Sequence, residues 1–153
     1  MLGLGLLKYL PLLSTNVKSH TLTSQKLLLC GSCLREEEPD VLDAVGDDKV
    51  CLHVCLEEAH MNVVGFKLAT ILKVNSPISL TVLTLDGSPH CLQLHMAVDQ
   101  ALKLVKANVP AEHYVVEKGR VVRVSWQTIR IARHLSKIEA LLSKADLKEG
   151  CTL

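Results

Sequence analysis

The chain has 153 residues, the length of one domain or of one domain with an extension. An apolar fraction of 48% and a charged fraction of 22% exclude disorder as a whole-chain description. Net charge is +1 and aromatics make up 3%, so neither a basic footprint nor a set of stacking platforms points to nucleic acid, and no charge excess points to an anionic membrane.

Residues 1–13 are mostly apolar, interrupted by Lys8 and Pro11, and too short to span a bilayer. No basic segment precedes them and no clean small-residue cleavage site follows, so a secretory signal fits poorly and a cytoplasmic protein is expected. Ser14 to Ser24 is polar and reads as a linker. The expected organisation is a poorly structured extension over 1–24, a single α/β domain over 25–145 and a tail over 146–153.

Lys26 to Cys30 (KLLLC) reads as a buried strand ending at Gly31. Pro39 to Val45 suits a short helix, with Pro at its first position and Gly46 as its stop. Lys49 to Val54 reads as a second strand. From Leu56 to Val74, the residues Val63, Val64, Phe66, Leu68, Ile71 and Leu72 recur at helical spacing. Ile78 to Leu85 is a third strand, rich in β-branched residues. Ser88 and Pro89 then cap and start a helix to about Ala107, with Met96, Ala97, Ala101, Leu102 and Val105 as its buried stripe. His113 to Glu117 and Arg120 to Val124 flank Lys118-Gly119 as a β-hairpin. Ser125 caps a last amphipathic helix to about Lys144, with Ile131, Leu135, Ile138 and Leu142 expected on its core face. Strands alternating with helices predict a small three-layer α/β fold: three β-α units forming a parallel sheet, then the hairpin and a final helix.

Six cysteines and seven histidines are the unusual part of the composition. Without an export signal, reduced thiols or metal ligands are expected rather than structural disulfides. Cys30 and Cys33 follow the first strand, Cys55 the second, and Cys91, beside His90, the third. In a parallel sheet these strand ends share one edge, where open α/β sheets bind ligands. Four thiols are therefore expected in one region, with Cys91 near the third position of its helix, where free N–H groups favour negative charge. Cys51, inside the second strand, reads as a core thiol, and Cys151 as an incidental tail thiol. His90, His60 and His95 are candidates for supporting donors or proton carriers around the thiols.

Four thiolates suit a [4Fe–4S] cluster or zinc; a thiol-based redox or sulfur-transfer site, with Cys91 as nucleophile and Cys30 or Cys33 resolving, is the other reading. Only Cys30-x2-Cys33 has the zinc-knuckle spacing, and singly donated ligands from separate strands suit a cluster better. No G-x-S-x-G, Walker or G-x-G-x-x-G motif is present.

The segments LLCGSC, KVCLHVCLEEAHMNVVGFKLA and LTLDGSPHCLQLH resemble a small family of archaea and anaerobic bacteria described as 4Fe–4S ferredoxins or iron–sulfur proteins. The resemblance covers about Leu28 to Ile138 and implies Cys30, Cys33, Cys55 and Cys91 as the matching thiols. The chain lacks the C-x2-C-x2-C-x3-C-P run of ordinary bacterial ferredoxins, so the name would describe a cofactor and not that fold. The expected function is electron transfer through a 4Fe–4S cluster to or from a redox partner protein, with no nucleic acid and no integral membrane segment. Zinc, in an interaction module, is the alternative metal.

Overall fold

The computed structural model describes residues 8–145. Three aliphatic runs anchor its sheet: β2 (Lys26–Gly31), β3 (Val50–Val54) and β4 (Ser79–Leu85). Their near-continuous burial is what a parallel strand covered on both faces requires. The sheet also holds β1 (Lys8–Pro11), β5 (Ala111–Glu117) and β6 (Arg120–Val124), in the order β1-β3-β2-β4-β5-β6. Every pairing is parallel except the β5–β6 hairpin. That hairpin turns at Lys118 and Gly119, both at positive φ (49° and 76°), the backbone a tight two-residue turn demands.

Side chains alternate across the strands and build two cores. Leu27, Leu29, Leu52, Leu80 and Val82 pack under α3 (Met61–Asn75) and α4 (Pro89–Val105). Leu28, Cys30, Cys51 and Leu83 pack on the other face under α1 (Leu34–Glu37) and α2 (Pro39–Gly46). The result is the expected three-layer α/β fold. α5 (Trp126–Ile131) packs on α4 and is followed by α6 (Leu135–Lys144).

Three expectations need correction. Within the stretch taken as an unstructured extension, residues 8–24 belong to the fold: β1 pairs with β3, and Leu12 and Leu22 are fully buried. Buried Asn75 holds this segment from both sides, donating from Nδ2 to the Val17 carbonyl at 2.8 Å and accepting from Thr23 Oγ1 at 3.2 Å. Leu22 was hidden by the polar residues of 14–24 around it, and Leu12 by its place in a short apolar stretch interrupted by Lys8 and Pro11. Second, the last helix is two helices. The chain breaks at 132–134, and Leu135 and Leu142 of the expected core face are exposed, with no buried residue anywhere in α6. Third, Val63 and Phe66 of the α3 pattern face outward, Phe66 at 78% exposure, while Val64, Leu68, Ile71 and Leu72 carry the burial. Residues 1–7 and 146–153, including Cys151, lie outside the described residues.

No helix among the described residues is long and apolar enough to cross a membrane.

Candidate functional site

β2 lies between β3 and β4, so the chain leaves β2 toward one side and β4 sits on the other. This reversal opens a crevice beyond the carboxyl ends of the two strands, where ligands of open α/β sheets bind. A small cavity of about 90 Å³ occupies that place. Cys33, Cys55 and Cys91 line it together with Ser88, His90 and Glu57. The three loops thus deliver three of the four expected thiols.

Local sequence explains the placement. Ser88 caps α4, its Oγ accepting from the Cys91 N–H at 3.3 Å, which fixes Cys91 in the first turn over the cavity. Cys55 starts a turn in which its carbonyl accepts from the Glu58 and Ala59 N–H groups. The loop after β2 is tied down twice: the Ser32 N–H donates to the Val54 carbonyl at 3.1 Å, and Ser32 Oγ pairs with His53 Nδ1 at 2.9 Å. Gly31 sits between two sulfurs, since a Cβ there would lie 3.7 Å from Cys91 Sγ and 3.8 Å from Cys33 Sγ. Burial raises the Cys33 pKa, and the neighbouring Cys91 and Cys55 thiols raise it further; a backbone hydrogen bond acts the other way.

Cys30 does not join this group. Its Sγ lies 3.1 Å from Cys51 Sγ, both residues are fully buried, and they sit in the core under α1 and α2. The hydrogen bond to Cys51 and burial hold the Cys30 thiol protonated. The reason is strand geometry: Cys30 is still inside β2 and follows its alternation, whereas Cys33 is past the strand end. The four-thiol ligand set therefore does not fit the structure as one shell. Among the described residues no group of three His, Cys, Asp or Glu side chains is disposed to hold a metal ion.

The histidines separate as well. His90 lines the thiol cavity. His60 caps α3, its Nδ1 accepting from the Asn62 N–H at 3.2 Å. His95 is buried in another network: its Nε2 pairs with Thr84 Oγ1 at 2.9 Å and its Nδ1 with His113 Nδ1 at 2.7 Å. Burial lowers the His95 pKa to about 4. It lowers that of His113 to about 3, with His95 adding to the effect.

Sequence reasoning missed the brace behind the Cys33 loop. Tyr9 donates from its hydroxyl to the Ser32 carbonyl at 3.1 Å and stacks flat on His53 with ring centroids 4.1 Å apart, while Arg35 lies 5.0 Å over the Tyr9 ring. The shared strand face of Cys51 and His53 was a readable signal; Tyr9 gave none, because it lay in a segment read as an extension.

A mostly parallel sheet with helices on both faces and its thiols at the strand reversal defines a doubly wound α/β protein. A family model confirms the class: residues 19–149 match the Rossmann-like domain, and the chain belongs to that family. The match overturns the resemblance to a 4Fe–4S ferredoxin family, since the matching family is the Rossmann-like one. No curated protein and no solved structure matches the chain.

Proposed function

We propose that the chain performs two-electron thiol–disulfide chemistry at the switch-point cavity, with Cys91 attacking and Cys33 resolving. The carrying observation is the pair of sulfurs flanking the bare Gly31 backbone, one on the first turn of α4 and one on an exposed, braced loop. The Cys91 thiolate attacks one sulfur of a disulfide substrate, forming a mixed disulfide and releasing the other sulfur as a thiolate, which takes up a proton. Cys33 then loses its proton and attacks the Cys91 sulfur. A Cys33–Cys91 disulfide forms, the second substrate thiol leaves, and the substrate has gained the two electrons the protein lost. A dithiol reductant restores the pair. The raised Cys33 pKa suits a resolving thiol that stays protonated until the mixed disulfide is in place.

A second reading, an iron–sulfur centre passing electrons to a redox partner, draws support from the convergence of three loops on one cavity. Among the described residues its sulfur donors there are Cys33, Cys55 and Cys91, with His90 and Glu57 in the same lining. One experiment separates the two. Protein purified without oxygen is analysed for iron and acid-labile sulfide, then treated with glutathione disulfide and mapped under non-reducing conditions. A metal-free protein that forms a Cys33–Cys91 link, and whose Cys33→Ser variant accumulates a glutathione adduct on Cys91, supports the dithiol reading. Stoichiometric iron and sulfide, lost from each of the Cys33→Ser, Cys55→Ser and Cys91→Ser variants, overturns it in favour of the cluster. Neither iron nor a Cys33–Cys91 link overturns both.

A further inference from the structure

The sheet has two edges, and they differ. β1, at one end, is four residues long and carries Lys8 and Pro11, two usual defences of an exposed edge. β6, at the other end, reads RVVRV over Arg120–Val124, with no proline and no bulge in its register to β5. Arg120 to Arg123 are all exposed, Val121 at 43% and Val122 at 45%.

The backbone of β6 has a defined free side. The register runs from Glu117↔Arg120 beside the turn to His113↔Val124. In a two-residue hairpin the pair flanking the turn exchanges both ladder bonds, and bonded pairs then alternate with unbonded ones. Arg120, Val122 and Val124 therefore aim their N–H and C=O groups at β5, and Val121 and Arg123 aim theirs outward. No group among the described residues takes up those outward donors and acceptors. An extended chain that adds as a further strand is the ligand that such a row of backbone groups fits.

Charge selects among extended chains. Residues 101–145 hold nine Lys and Arg against three Glu, a basic excess that the net charge of +1 for the whole chain conceals. Arg123 Nη2 donates to Glu112 Oε1 of β5 at 2.8 Å, an opposite-charge pair across neighbouring strands. Exposed Arg120 has no ion-pair partner among the described residues. A second copy of this strand meets the edge badly. The outward groups allow two-fold antiparallel pairing centred on Val121, Val122 or Arg123. None of the three sets an acid directly opposite an arginine, and the last sets Arg123 against its own copy.

We propose that β6 is a docking edge for an extended acidic segment of a partner protein. The segment adds as a seventh strand, exchanges backbone hydrogen bonds with Val121 and Arg123, and sets its carboxylates beside Arg120 and Arg123. Val121 and Val122, on opposite faces of the edge, pack its apolar residues. No thiol takes part, so this docking does not rest on the thiol reading.

The test follows backbone amide resonances of the intact chain by NMR during titration with the acetylated, amidated hexapeptide EVEVEV. The comparators are KVKVKV and an EVEVEV methylated at every amide nitrogen. The expected result is saturable shifts centred on 120–124. Hydrogen exchange at the Val121 and Arg123 amides slows about tenfold at about nine-tenths occupancy, and the Val122 amide, already bonded to β5, slows less. KVKVKV binds at least about tenfold more weakly, and Arg120→Glu weakens EVEVEV about fivefold. Val121→Pro removes an outward N–H but no ladder bond, and it abolishes binding. Should that variant not fold, the N-methylated peptide tests the same hydrogen bonds on the unaltered chain, where it fails to bind. Shifts centred elsewhere, such as on Phe66, no saturation, equal affinity for KVKVKV, or binding of the N-methylated peptide would overturn the proposal. So would protection of the Val121 amide that rises with protein concentration alone, which assigns the edge to a second copy.

Discussion

Cys30 and Cys33 are three residues apart and live in different environments. Cys30 is locked against Cys51 in a dry core, and Cys33 stands exposed at the rim of a cavity with Cys55 and Cys91. A short C-x2-C spacing thus puts one thiol in the core and the other at the rim of a cavity. The difference comes from where the strand ends: inside β2 the alternation of side chains decides direction, and past Gly31 the loop and its hydrogen bonds decide it.

The sharpest way to break this contrast is to count reactive thiols. In folded protein, Cys33, Cys55 and Cys91 should alkylate readily, and Cys30 and Cys51 should label only through opening of the fold. The expected gap is at least about a thousandfold, given typical domain stabilities. Mass spectrometry of timed labelling checks it, and equal rates for Cys30 and Cys33 would dissolve the distinction.

Packing beneath the buried pair comes next. Leu28 shares the face of Cys30 and is fully buried, so Leu28→Ala should cost about 2–5 kcal/mol in denaturant unfolding. Cys33→Ser, at an exposed position, should stay within about 0.5 kcal/mol. A Cys33→Ser loss as large as that of Leu28→Ala would place Cys33 in the core after all.

The histidines repeat the contrast and give it a pH signature. Buried His95 and His113 have folded pKa values near 4 and 3, below the ordinary 6.5 of the unfolded chain. The unfolded state therefore binds more protons between these values. The stability these groups contribute is complete above pH 6.5 and falls as pH drops toward their folded values. Between pH 6.5 and 5 the loss should be about 1–2 kcal/mol for each group that is kept neutral. Thermal melts across that range should show the slope, and His113→Phe should flatten it; an unchanged slope would mean that these rings charge freely in the folded protein.

Smallest is the brace. Tyr9→Phe removes one hydrogen bond to the Ser32 carbonyl and should cost about 1 kcal/mol in stability while speeding alkylation of Cys33 relative to Cys55. A uniform change at both thiols would show that the brace acts on the whole edge instead of on its own loop.

Much of the fold was legible because local signals agreed with it. The aliphatic runs of β2, β3 and β4 had no helical period, Ser88 with Pro89 named the start of α4, and Lys118-Gly119 named the hairpin. α6 was legible as a helix but not in its surroundings: its apolar stripe is real in sequence, yet none of its residues is buried and only Ile138 of that stripe is half-buried. The break before it carries neither Gly nor Pro. It coincides instead with a tertiary pull, as Arg130 and Arg133 both reach toward buried Asp99, which Lys103 also contacts.

The sequence by itself determined the alternation of strands and helices, the caps, and which loops carry thiols, because each of these depends on residues within a turn or two of one another. Only the tertiary structure decided that Cys30 pairs with Cys51, that Tyr9 braces the Cys33 loop, and that His95 joins His113 and Thr84. Those contacts join residues 11 to 23 positions apart across neighbouring elements. Their geometry follows from strand register and helix placement, which no local pattern of residues encodes.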